Sequence, residues 1–368
     1  MQIYGKSGKQ PKVFAKKYEN IWLPHTKDVP LQMDVPLLFL IMRKVFGIGE
    51  TVLDIIFKAD QPIGAVPGGS VFNSIISLGR CGAKASFISE TGNDRVGRRI
   101  ISFLEDNGVD ASCVYVYPDS KSPISLAFLN ENNDAEYIFY KDHPSDRIEF
   151  VTPEVNRDDI VLFGSYYAVN PVIRPQVLGF LEHARSRGAI LYYDVNYRAS
   201  HKDEVMKLTP NILENLEIAD IVRGSSEDFE VMFRKSDADS VYRTQIAFYT
   251  KKFIYTQGPN PVELRAENGF SKQYPVAPLS ASGAYETYGV LEDSPQIVST
   301  IGAGDNFNAG FVYGMLRHNI LRDDIERGLT EEQWDNLIAC AQSFSADVCQ
   351  SLDNYVSLDF ARQRRGEL

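Results

Sequence analysis

Cysteine is scarce: four residues in 368, at Cys81, Cys113, Cys340 and Cys349, with no C-x-x-C pair. That spacing argues against a disulfide framework or a cysteine zinc site and fits reduced thiols in a cytoplasmic protein. Positive charge is also in short supply. Lys and Arg number 38 against 49 Asp and Glu, a formal charge of −11. A general nucleic-acid or anionic-membrane surface, which needs a basic face, is therefore not expected. Long apolar runs are missing as well. The run from Pro36 to Ile41 stops at Arg43-Lys44, far too short to span a bilayer, and no small-residue cleavage site follows it.

What is present is ordinary soluble-protein composition, 44% hydrophobic and 24% charged, in a chain long enough for a large core. The most informative stretch is Ser299-Thr300-Ile301-Gly302-Ala303-Gly304-Asp305, followed by an apolar, small-residue run through Leu316. A glycine turn feeding a buried helix offers free N–H groups and the positive end of the helix dipole, a place for an anion. Asp305 in that first turn reads either as a helix cap or as a general base beside a phosphate-binding turn.

A second stretch, Pro67-Gly68-Gly69-Ser70-Val71-Phe72-Asn73, places an asparagine four residues after a Gly-Gly pair, and Gly92-Asn93-Asp94-Arg95-Val96-Gly97 follows. Together with Gly302 to Asp305, in this order, these segments resemble the two signature regions of the ribokinase-like sugar and nucleoside kinases, the phosphofructokinase B group. The resemblance runs from about Met42 to the low 350s. It implies an α/β fold: a doubly wound, mostly parallel sheet flanked by helices, with a small β-lid. It further implies ATP with Mg²⁺ held through phosphates and water, room for a monovalent cation, a sugar substrate, and a homodimer through the lid.

In the chain, Val45 to Gly49 reads as a buried strand, and Lys58 to Val66 resembles half of the lid. Asp54 matches the family's sugar-binding aspartate, or is a loop residue at a strand end. Gly68 and Gly69 would let the backbone approach a ligand, and Ser70 is placed to cap the next helix. Asn73 matches the sugar-contacting asparagine, or sits on the wet face of that helix. Ile124, Leu126 and Phe128, then Ala135, Tyr137 and Phe139, alternate on either side of Asn130 to Asp134, a hairpin pattern. The lid segments are thus expected near 58–67 and 113–142. From Ile160 strands alternate with helices, including a helix at about Val172–Arg187 and one from Glu331 to about Gln350.

The remaining candidates come by resemblance. Asp194-Val195-Asn196-Tyr197-Arg198 matches D-x-N-x-R, giving Asp194, Asn196 and Arg198 phosphate or nucleotide roles, with a structural ion pair as the alternative. Thr256-Gln257-Gly258 resembles the nucleotide-binding T-x-G. Glu227 is a candidate Mg²⁺ contact, although Gly224 stands where N-x-x-E has asparagine. Ser299 replaces the usual aspartate opening D-T-x-G-A-G-D. Gly302, Ala303 and Gly304 would form the anion hole and Asp305 the base. Pro278 to Asp293, more polar than a connection needs, reads as a flap or a plain insertion. Residues 1–41 form an extension outside the catalytic fold of 42–368. The expected activity is ATP-dependent phosphorylation of a sugar, fructose first. A nucleoside kinase and a sugar-binding protein without turnover remain the alternatives.

Overall fold

The computed structural model describes residues 43–130, 135–142, 152–276 and 297–368. The expected extension at 1–41, the hairpin loop at 131–134 and the polar stretch 278–293 lie outside the described residues.

β1 (Lys44–Ile48) opens the main sheet. The chain then makes a hairpin, β2 (Val52–Lys58) and β3 (Gln61–Gly68), and returns through α1 (Ser70–Arg80) to β4 (Lys84–Gly92). After α2 (Arg95–Asp106), the short strands β5 (Val109–Asp110) and β6 (Val114–Tyr117) lead to a second hairpin, β7 (Lys121–Leu129) and β8 (Ala135–Asp142). Strand and helix then alternate through β9 (Ile160–Gly164), α3 (Arg174–Ser186), β10 (Ile190–Asp194), α4 (Val205–Ile218), β11 (Ile221–Ser225), α5 (Ser226–Phe233) and β12 (Phe253–Gln257). β13 (Asn260–Arg265) and β14 (Ser271–Tyr274) precede the long helices α6 (Ala303–Arg317) and α7 (Glu331–Val348).

The main sheet has the order β14-β13-β12-β11-β10-β9-β1-β4-β5, with β6 also paired to β4. From β12 to β5 the strands run parallel, while β13 and β14 add antiparallel at one edge. Parallel strands are covered on both faces, so β9 and β10 read Ile-Val-Leu-Phe-Gly and Ile-Leu-Tyr-Tyr-Asp, buried throughout. One face packs against α1, α6 and α7, the other against α3 and α4. The chain goes from β1 outward to β4, then returns to β9 on the other side of β1. That reversal opens a crevice at the carboxyl ends of the strands, where ligands of such sheets gather.

The two hairpins form a separate four-stranded sheet, β3-β2-β7-β8. Register puts Asp54 opposite Ser125 and Ser125 opposite Phe139, so these three share one face. Ile55, Leu126 and Ile138 share the other. The lid begins at Val52, earlier than the expected Lys58, because β2 pairs with both β3 and β7. It resumes at Lys121, since β6 joins β4 of the main sheet. The helix expected from Val172 starts at Arg174, after a separate turn of helix at Ser165–Val169. Asn170, ahead of Pro171, is extended at ψ 117° and breaks the two apart. All four cysteines are buried and free. No helix among the described residues is long and apolar enough to cross a membrane.

Candidate active site

α1 and α6 start side by side above the sheet, and their first turns are joined by polar side chains. Ser70, Asn73, Ser74 and Ser77 follow helical spacing, so they form one stripe down α1. Ser70 Oγ donates to Asp305 Oδ1 and Asn73 Nδ2 to Asp305 Oδ2, each at 2.8 Å. Ser74 Oγ donates to the Asp305 carbonyl at 2.6 Å, and Ser77 Oγ to Asn306 Oδ1 at 2.5 Å. The sequence places Ser70 as the cap of α1. Instead Gly69 occupies the N-cap position without a side-chain bond, and the Ser70 hydroxyl is committed to Asp305. Asn73 lies in neither a wet face nor open space: it is buried, and its Oδ1 has no partner among the described residues.

Gly302 closes the turn before α6 with φ of 78°, the left-handed region that favours glycine. Asn306 Nδ2 bonds both the Gly302 carbonyl and the Asn354 carbonyl at 2.9 Å, locking the turn from below. Of the three residues expected as an anion hole, Ala303 spends its N–H on the Thr300 carbonyl at 3.2 Å. Asp305 is buried, and burial raises its carboxyl pKa. The Arg198 charge and the bonds from Asn73 and Ser70 oppose that rise, and the Asp194 charge adds to it.

The lid supplies Asp54, buried on β2, whose Oδ1 accepts from Ser125 Oγ. Burial pushes its pKa up to about 6, against the Ser125 bond and with help from the Glu50 and Asp305 charges. Gly68 leaves no room for a side chain here: a Cβ would stand 2.4 Å from Asp54 Oδ2. At Gly69, φ is 130° and a Cβ would meet the Glu50 carbonyl at 2.3 Å. Tyr137 and Phe139 stack at 5.8 Å on the same lid face as Asp54. At the far end Lys141 bonds Glu50 at 2.6 Å and ties the lid to the end of β1.

The strand ends bring the other candidates. Asn196, at φ 37° just past β10, donates to Ser70 Oγ. Arg198, exposed, has its charge within range of Asp305. Asp194 is fully buried, and both its oxygens are taken, by Arg223 Nη1 at 2.9 Å and Asn308 Nδ2 at 2.8 Å. It is therefore half of a structural ion pair rather than an exposed ligand. Thr256 Oγ1 accepts from Arg223 Nη2 at 2.6 Å. Gly258 sits in the β12–β13 turn at φ 59° with open space where a Cβ would be. Glu227 is exposed at the start of α5, while its neighbour Asp228 does the capping with Ser225 and also accepts from the Tyr197 N–H at 2.7 Å. Among the described residues no three His, Cys, Asp or Glu cluster as a metal site.

Reading the sequence missed Ser74, Ser77, Arg223 and Asp228. The polar stripe at every third or fourth position of an otherwise apolar helix was a usable signal for the first two. Arg223, a lone cation at the end of an apolar strand, was a signal for the third.

The sequence matches the pfkB family carbohydrate kinase family over residues 42–352. It is 27% identical over 266 residues to a 5-dehydro-2-deoxygluconokinase of Geobacillus thermodenitrificans, covering 68% of this chain and 72% of the relative. With a probable chloroplastic fructokinase of Arabidopsis thaliana it is 25% identical over 292 residues, 76% of this chain and 72% of the relative. The fold is similar to that of a fructokinase from Vibrio cholerae crystallised with fructose, ADP and calcium, with a TM-score of 0.71 and 18% identity over 86% of this chain and 96% of the other. It is also similar to that of an aminoimidazole riboside kinase from Salmonella enterica, TM-score 0.69 and 20% identity over 88% and 99%. With its two signature regions meeting at Asp305, the chain belongs to the pfkB family of carbohydrate kinases and is a sugar kinase.

Proposed function

We propose that the protein transfers the γ-phosphoryl group of ATP to the primary hydroxyl of a free sugar, with fructose the first choice, and that Asp305 is the base. The observation carrying this is the buried Asp305 carboxylate, held by Ser70 and Asn73 in the first turn of α6. The sugar lies under the lid, with Asp54 as an acceptor on the lid's inner face and Asn73 Oδ1 as a further acceptor. Asp305 takes the proton as the sugar oxygen attacks in line. The N–H groups of Gly302 and Gly304, on either side of the committed Ala303, face the charge on the moving group, the kind of preorganised help on which such reactions depend. Arg198 adds a cation beside Asp305.

Mg²⁺ fits this site as a passenger of the nucleotide: no cage of protein carboxylates stands ready among the described residues, and Glu227 is exposed at the α5 N-terminus. Bound there through phosphate oxygens and water, it would neutralise phosphate charge. The lid's outer face, with Ile55, Phe57, Leu126, Phe128, Ile138 and Tyr140 all half-buried or exposed, suits a second copy of the chain.

The test is a phosphorylation panel with ATP and Mg²⁺: fructose, ribose, 5-dehydro-2-deoxygluconate, adenosine and fructose 6-phosphate. Fructose or another free sugar as the best acceptor supports the reading. Adenosine as the best acceptor overturns it. Sugar binding without turnover would point to a sensor.

A further inference from the structure

Arg223 is a buried cation beside the candidate site, and its surroundings are unusual. It lies on β11, 7% exposed, between the strand ends and the first turn of α6. Its guanidinium faces the glycine turn: a Cβ on Gly304 would stand 3.1 Å from Nη2 and 3.3 Å from Nη1. The Phe307 ring lies 5.9 Å away on the same side. Nη1 is bonded to Asp194 and Nη2 to Thr256, and the buried Nε has no partner among the described residues. Burial alone would lower its pKa, but the charges of Asp194 and Asp228 outweigh that and keep it a cation.

We propose that Arg223 is a positioning residue for the nucleotide phosphates, acting through the Gly304 turn and the Thr256 hydroxyl. Two physical consequences follow from the contacts. A guanidinium has donors only, so Thr256 Oγ1 must accept from it, and the hydroxyl proton is then turned away from Arg223. No acceptor for that proton stands among the described residues, so Thr256 is presented as a donor to an incoming oxyanion, which a nucleotide phosphate supplies. The second consequence is electrostatic. A buried cation one glycine thick behind the first-turn N–H groups raises the positive potential of the turn where water is excluded. Glycine at 304 favours this approach, since a Cβ there would crowd the guanidinium at 3.1 and 3.3 Å. Asp194, itself held by Asn308, fixes the fork through Nη1.

This inference rests on reading the Gly302–Asp305 turn as the phosphate site, and nucleotide binding tests it apart from sugar turnover. ADP and ATP affinities are measured by calorimetry in the absence of sugar, beside melting temperature and turnover. Arg223→Met is expected to weaken ADP binding about tenfold or more, since the charge behind the turn is lost and Thr256 is no longer held as a donor, together worth about one charge-assisted bond, while sugar affinity stays unchanged. Arg223→Lys keeps the charge without the fork and recovers part of the loss. Because Arg223→Met strands the Asp194 carboxylate and can unfold the chain, the Asp194→Asn/Arg223→Met pair is the decisive variant. Its melting temperature returns toward that of the unaltered protein, and its ADP affinity stays low. A folded double variant that binds ADP as tightly as the unaltered protein overturns the proposal, as does Asp194→Asn alone losing as much affinity as the pair. An unaltered protein that binds no ADP overturns it too. One that binds ADP but phosphorylates no sugar sinks only the sugar assignment.

Discussion

Asn73 reaches from the first turn of α1 to Asp305 in the first turn of α6: Nδ2 donates to Oδ2 at 2.8 Å, and the asparagine's own Oδ1 is left buried and unpartnered among the described residues. One side chain thus holds the proposed base and leaves an acceptor free for a ligand. Asp305→Asn preserves size and removes proton affinity. Turnover in steady-state assays should fall by about 10²–10⁴-fold, the usual share of general-base catalysis, with sugar affinity little changed. Near-normal turnover would reduce Asp305 to a helix residue with polar neighbours.

Asn73→Ala removes both functions at once. Sugar KM should rise, because the free Oδ1 is lost. Turnover should drop less than in Asp305→Asn, because Ser70 still donates to the carboxylate. If KM stays fixed while the melting temperature drops, Asn73 is a packing residue of the α1–α6 contact and nothing more.

Much of this was legible in the sequence, for identifiable reasons. The strands β9 to β12 are apolar on both faces, a pattern that parallel sheets impose, and the alternation Ile124, Leu126, Phe128 marked the lid hairpin. The two glycine segments were visible as segments. Their meeting was not, since only packing reveals that Ser70, Asn73, Ser74 and Ser77 all face α6. Asp194 was ambiguous for a related reason. D-x-N-x-R offers Arg198 as the nearby cation, whereas the partner, Arg223, lies 29 residues on, in the adjacent strand. The β2 strand was hidden because Asp54, a residue disfavoured in strands, sits in its middle and is stabilised there by Ser125 from β7.

Gly69 allows a second check on the α1 start. Its φ is 130°, and an added methyl group would lie 2.3 Å from the Glu50 carbonyl, so Gly69→Ala is strained in conformation and crowded in space. Such backbone strain costs about 1–3 kcal/mol. Thermal melting should show a clear loss, and sugar KM should rise, because Ser70 and Asn73 move with the helix start. An unaltered melting temperature would contradict the geometry.

The outer face of the lid predicts an oligomeric state. Ile138 is 44% exposed and Tyr140 54%, in register with Leu126 and Ile124, and the β3 and β8 edges are unpaired among the described residues. Apolar faces and free edges of this kind are covered in stable proteins. Light scattering should give a dimer for the unaltered protein. Ile138→Glu should give a monomer with the same circular dichroism. A monomeric unaltered protein at micromolar concentration would rule out the lid contact.

Asp54 makes the pH dependence specific. Burial raises its pKa to about 6 in the folded protein, above the ordinary carboxylate value of about 3.9. The folded form therefore binds more protons than the unfolded chain between those two values, and stability falls as pH rises across that window. The contribution is fully present below about 4 and lost above about 6. Sugar binding runs the other way. Protonation turns the oxygen that Ser125 leaves free into a donor, so the ionised carboxylate is the better acceptor for sugar hydroxyls, and sugar KM should rise as pH drops below about 6. Asp54→Asn cannot titrate. It should bind sugar weakly at every pH, with no inflection near 6, and should lose this part of the stability slope in melts from pH 4 to 7. Asp305, whose pKa is also raised by burial, would as the proposed base affect turnover in the same direction, so the readout must be sugar binding rather than rate. An inflection in sugar affinity that survives Asp54→Asn would assign the titration to another group and remove Asp54 from the sugar site.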